Sequence, residues 1–164
     1  MKLVEISSEY LNGTMTPGLV LGAFVLAMTV SAQEASNVPS QEQQLNAVGC
    51  LRSINTAEAY YAKEYGKGFS PTLAALGAPP KGAKVSPMAA GLLDSSLTRG
   101  TKSNFIFKYT AGTPGADGKI STYTVVAEPA KWGKGIRSFF TDQTAVIRET
   151  DQNRRPRASD PELK

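Results

Sequence analysis

The chain has 164 residues, 41% hydrophobic and 20% charged, with a formal net charge of +4, a composition that suits one globular domain. It contains no histidine and a single cysteine. Those two counts exclude imidazole acid–base catalysis, Ser-His-Asp and Cys-His nucleophile systems, intrachain disulfides, iron–sulfur clusters and zinc sites built from His or several Cys.

The first segment reads as an export leader. No charge interrupts the chain between Glu9 and Glu34, and its apolar centre, Gly18–Val30, is 13 residues long. That length fits a signal-peptide core and falls short of the ~20 residues that span a bilayer. Val30-Ser31-Ala32 places small residues where a signal peptidase reads, so cleavage is expected after Ala32. The start, at Met1 or Met15, is less basic than most leaders, with Lys2 set against Glu5 and Glu9. An uncleaved membrane anchor over Tyr10–Gln33 is the alternative. Residues 33–40 read as a linker. The net positive charge favours weak attraction to acidic surfaces without specifying nucleic acid.

Ser40-Gln-Glu-Gln43 has the spacing of a capping box. Ala47, Cys50, Leu51, Ile54, Ala57, Tyr61 and Tyr65 then fall on one helical face, and Gly66 supplies a stop. A long helix is expected over 41–65. Cys50 reads as a core position on it, because Gln33–Leu45 separates the lipobox-like Ala47-Val-Gly-Cys50 from the apolar run. Glu58 reads as a surface charge beside Arg52. Ser70-Pro71 opens a second short helix ended by Gly77, and Ser86-Pro87 opens a third that closes at Gly100 with Met88, Leu92, Leu93 and Leu97 inward.

From Lys102 the apolar period changes to two. Phe105, Phe107 and Tyr109 share one face of a strand, a Gly-, Pro- and Asp-rich turn follows, and Ser121–Ala127 forms the next strand. Ser138–Thr141 and Ala145–Arg148 flank a turn at Asp142. The stretch 149–164 has no apolar pattern and reads as a disordered tail, its Arg154-Arg155-Pro-Arg157 nearly balanced by the acids at 149, 151, 160 and 162. The resulting fold class is α+β: a long N-terminal helix packed on a four-stranded antiparallel sheet, with short helices between, and a globular domain at 41–148.

The segment Ala47-Val-Gly-Cys-Leu-Arg-Ser-Ile-Asn-Thr-Ala-Glu-Ala-Tyr-Tyr-Ala-Lys-Glu-Tyr-Gly66 resembles the head end of the first helix in bacterial type IV pilin-like proteins and pseudopilins. Ser70–Gly77, Gly91–Ser103, Phe105–Thr110 and Phe139–Arg148 follow the same order. The resemblance covers about residues 45–150 and implies a pilin-like head. The sequence departs from the family's stem pattern: no Gly-Phe-Thr-Leu-x-Glu motif precedes the apolar run, and Pro39 interrupts the path into the head helix.

The candidate interaction residues are Lys131, Trp132, Lys134 and Arg137, one loop mixing cations with an aromatic, and Tyr60, expected on the surface while Tyr61 and Tyr65 enter the core. Asp117 and Asp142 read as turn formers rather than calcium ligands. No catalytic, metal or cofactor site is expected. The functional expectation is an exported, non-enzymatic pilin-like protein, secreted or periplasmic, with protein partners in the cell envelope. The alternatives are a soluble module that binds an acidic polymer, polysaccharide or nucleic acid, and a membrane-anchored minor filament or secretion-system subunit.

Overall fold

The structure, a computed structural model, describes residues 38–164, so the expected leader and its cleavage point lie outside the described residues. Helix α1 (Gln41–Tyr65) has the expected span, and both its ends are chemically specified. The Ser40 hydroxyl accepts from the Gln43 amide at 3.2 Å, while the Gln43 side chain accepts from the Ser40 amide at 2.8 Å. Gly66 ends the helix in the left-handed region at φ 63°, its amide bonded to the Ala62 carbonyl at 3.1 Å.

Five strands make one antiparallel meander in the order β1 (Thr101–Lys102), β2 (Phe105–Ala111), β3 (Tyr123–Pro129), β4 (Ser138–Asp142) and β5 (Arg148–Thr150). The face toward α1 carries Phe105 and Phe107, Tyr123, Val125 and Ala127, then Phe139 and Thr141. All of these but Thr141 pack with Ala47, Leu51, Ile54 and Tyr61 in one core. Each of the large apolar side chains buried there contributes about 1.5–3 kcal/mol.

The expected four-stranded sheet is corrected to five strands. β1 is only two residues long and shows no alternation that a pattern could reveal. It exists because Ser103 and Asn104, at φ 53° and 59°, form a two-residue turn whose two left-handed positions match the twist of a hairpin. The last two strands also shift. β5 starts at Arg148, leaving Ala145 in the turn at φ 60°.

The two short helices shrink. The segment after Ser70-Pro71 makes one 3-10 turn at Leu73–Leu76, capped by Thr72 rather than Ser70. The third helix contracts to α2 (Ser95–Thr98), capped by Asp94, whose carboxylate accepts from the Ser96 and Leu97 amides. Upstream of Asp94 the backbone is already committed elsewhere. The amides of Ala90, Gly91, Leu92 and Leu93 bond the carbonyls of Ala75, Gly77, Leu76 and Leu76, and Gly91 sits at φ 71°. Met88, expected inward, is 68% exposed as a result.

The expected disordered tail at 149–164 belongs to the fold. The Glu149 amide bonds the Pro161 carbonyl at 2.9 Å, and the Leu163 amide bonds the Ile147 carbonyl at 2.8 Å, so the chain returns to pair along the β5 edge. Between these points it crosses the sheet face opposite α1. Ser138 Oγ donates to the Arg154 carbonyl at 2.9 Å, Arg155 approaches Glu128 at 3.6 Å, and Pro156 is buried. Val126 and Phe140, which point away from α1, are buried on that same second face. Asp160 holds the crossing together, accepting from the Arg154 guanidinium and the Arg157 amide. Polar bonds and backbone pairing order this segment, and an apolar pattern does not register them.

Candidate interaction surface

The loop between β3 and β4 carries four of the five predicted residues, and the structure divides them. Lys131 and Lys134 are exposed and Trp132 is half-buried between them; neither lysine makes an ion pair among the described residues. A side chain at Gly133 would meet Val38, which seats the loop near the start of α1. Arg137 is withdrawn from this group. Its amide and Nε bond Gln44 Oε1 at 3.1 and 3.4 Å, its guanidinium meets Glu149 at 2.7 Å, and it lies 5.6 Å from the centre of the Phe139 ring. The four-residue binding loop is therefore reduced to Lys131, Trp132 and Lys134.

Tyr60 lies elsewhere, about 24 Å farther along the α1 axis than Gln44, and is 54% exposed. It lines a groove of about 450 Å³ with Arg52, Ser53, Thr56 and Ala57 on the helix and Leu92 and Leu93 on the facing wall. Ser53 and Thr56 donate their hydroxyls to the helix carbonyls of Gly49 and Arg52, both at 3.0 Å, which leaves the groove floor less polar than its composition suggests. Arg52 is its one formal charge and makes no ion pair among the described residues. Tyr61, one position on, is buried, and its hydroxyl donates to the Pro87 carbonyl at 2.9 Å, holding the Leu92–Leu93 wall's own loop to the helix.

Glu58 corrects the expectation of a surface charge: it is 0% exposed. Its Oε2 accepts from the Ser70 amide at 2.8 Å and its Oε1 from the Ser70 hydroxyl at 2.5 Å. Tyr109 closes the cluster by donating to the Ser70 carbonyl at 2.8 Å. Burial pushes the Tyr109 phenol well above its ordinary range, and the neighbouring Glu58 charge adds to this. Tyr123 is raised in the same way, by burial first and then by Glu58, while its hydroxyl donates to Asn55 Oδ1 at 2.9 Å. Asn55 in turn donates to Thr141 Oγ1 at 3.0 Å and to the Ala145 carbonyl at 3.2 Å. With both oxygens engaged and no surface, Glu58 serves as an anchor for the chain after α1. Its sequence signal was register: position 58 is four residues after Ile54 and three before Tyr61, inside the buried stripe.

Asp142 and Asp117 act as turn formers, accepting from the Thr144 amide at 2.9 Å and the Lys119 amide at 3.0 Å. Cys50 is buried on α1, and burial raises its thiol pKa. Among the described residues no group of three or more Cys, Asp or Glu side chains gathers around a common point, and no helix is long and apolar enough to cross a membrane. No protein-family model matches the chain, and neither a curated protein nor a solved structure matches it.

Proposed function

We propose that this chain is an exported, non-enzymatic, pilin-like protein that works through protein–protein contacts in the cell envelope. The observation that carries the reading is the outward side of α1. Tyr60, Leu92 and Leu93 form an accessible aromatic and aliphatic groove beside one cation, Arg52, that has no ion pair among the described residues, and Met88 and Val85 are exposed on the loop leading into its wall. Aromatic and Arg side chains gathered on an apolar patch are the composition of protein interface centres. The apolar run ahead of Ala32 supports export, and the order of one long helix before an antiparallel meander supports the likeness to a pilin head.

The test is fractionation of cells expressing the tagged chain, N-terminal sequencing of the product, and mild cross-linking in the envelope fraction. The reading expects an N terminus at Gln33, and defined cross-linked partners that are lost in Tyr60→Asp but retained in Trp132→Ala. Recovery of an intact N terminus from the cytoplasm overturns export. Partners unaffected by Tyr60→Asp overturn the assigned surface.

A further inference from the structure

The two edges of the sheet are treated differently. At the β5 edge, residues 161–163 supply the missing backbone partners. At the other edge, β1 pairs only with Phe105 and Ile106, and the Gly100 carbonyl takes the Phe107 amide at 2.8 Å. Beyond Phe107 the cover stops. The ladder to β3 uses the even-numbered residues of β2, as its continuation from the Gly112 amide to the Thr122 carbonyl shows. In an antiparallel pair successive residues alternate their polar groups between the two sides. Tyr109 and Ala111 therefore turn both N–H and C=O outward, and none of these groups has a hydrogen-bond partner among the described residues.

We infer that this open stretch of β2 is a strand-addition site for an extended segment of a partner polypeptide that carries a carboxylate. The edge from Phe107 to Ala111 runs about 14 Å, the length of a short strand. It borders a groove of about 420 Å³ lined by Pro71–Ala74 and, at the Phe107 end where Gly100 pairs, by Thr98–Gly100. Outward N–H and C=O groups at two-residue spacing pair with an extended backbone and with few other ligands. The chemistry at the end wall selects the occupant. Arg99 is exposed and makes no ion pair among the described residues, so an incoming Asp or Glu is complementary to it. A second copy fits less well. It would bring another Arg99 instead of a carboxylate, and so short an edge falls far below the ~800 Å² per partner of a stable dimer. The site deepens the proposed function and rests on it only for where the partner is met.

The test uses the purified full chain and a phage-displayed library of random eight-residue peptides. Selected peptides are synthesised and titrated into wild-type, Ala111→Pro and Arg99→Glu protein, with amide hydrogen exchange followed by NMR. Enriched sequences should alternate β-branched residues and include Asp or Glu. Their addition should slow exchange at Tyr109 and Ala111. Arg99→Glu should weaken binding about tenfold, and so should Ala111→Pro, which removes one outward donor. If Ala111→Pro does not fold, wild-type exchange and Arg99→Glu decide the matter. The site is overturned if no peptide is selected, if protection maps away from β2, or if both amides already exchange slowly in the free monomer. A dimer that protects them without peptide overturns the choice of a partner over a copy. The experiment involves neither export nor the Tyr60 groove, so its failure leaves the proposed function standing, and failure of the fractionation leaves this site standing.

Discussion

Removing the Glu58 carboxylate should cost this fold far more than an ordinary helix charge does. The side chain is enclosed and accepts two bonds from one residue, the Ser70 amide and hydroxyl. Hydrogen bonds to a charged acceptor contribute about 1.5–3 kcal/mol each, and a buried donor left without a partner costs about 1–3 kcal/mol. Part of this loss is returned, because truncation removes a carboxylate that was desolvated on folding. The Ser70 hydroxyl also keeps a second acceptor, the Thr72 carbonyl at 3.1 Å, so only the Ser70 amide is orphaned. Glu58→Ala should therefore destabilise by about 3 kcal/mol. At roughly 3–5 °C per kcal/mol for a domain of this size, Tm should fall by about 9–15 °C.

Glu58→Gln retains one acceptor for the amide and an NH2 that the Ser70 hydroxyl can accept, so its cost should be about 1–2 kcal/mol. Urea unfolding of the wild type, both Glu58 variants, Ser70→Ala and the double variants supplies the measurement. The Glu58–Ser70 coupling in the cycle should be about 1 kcal/mol or more. If Glu58→Ala lay within about 0.5 kcal/mol of the wild type, as exposed substitutions do, the anchoring role would be refuted.

Gly68→Ala should destabilise by more than about 2 kcal/mol in thermal unfolding, since the residue sits at φ 76° and an added Cβ would lie 2.0 Å from the Ile120 carbonyl oxygen. The raised Tyr109 and Tyr123 phenols remain neutral in the folded protein where unfolded tyrosine ionises, so their stabilising effect is complete below about pH 10 and is lost as pH rises beyond it. Urea midpoints measured across that alkaline range should fall, and the fall should be smaller in Tyr109→Phe. The Asp160 carboxyl is held below the usual range, chiefly by its bond to Arg154, so its contribution is present above about pH 4 and lost as pH falls through the folded value. Asp160→Asn should remove that acid sensitivity and speed hydrogen exchange at the Glu149 and Leu163 amides, which pair with the returning chain.

The parts of this protein that were legible in its sequence are those whose specification is local. Ser40, Gln43 and Gly66 set the ends of α1 because capping bonds join residues three or four apart. Phe105, Phe107 and Tyr109 declared the inner face of β2 because side chains alternate along a strand whatever lies beside it. Tyr60 and Tyr61 were assigned to surface and core on helical spacing alone, and the structure places them so.

Other outcomes depended on partners distant in the chain. Glu58 looked like a surface charge until Ser70 and Tyr109 closed over it, and Arg137 looked like a binding cation until Gln44 and Glu149 engaged it. The third helix was cut short by carbonyls from residues 75–77, and residues 149–164 were ordered by Ile147, Ser138 and the pairing of a half-buried Arg154 with a buried Asp160. The absence of histidine and the single cysteine limited the chemistry without help from the fold. Which polar groups are consumed within the molecule, and which, like the outward amides of Tyr109 and Ala111, are left for a partner, only the tertiary structure decided. Hydrogen-bond satisfaction is a property of neighbours in space, and the order of residues along a chain does not contain it.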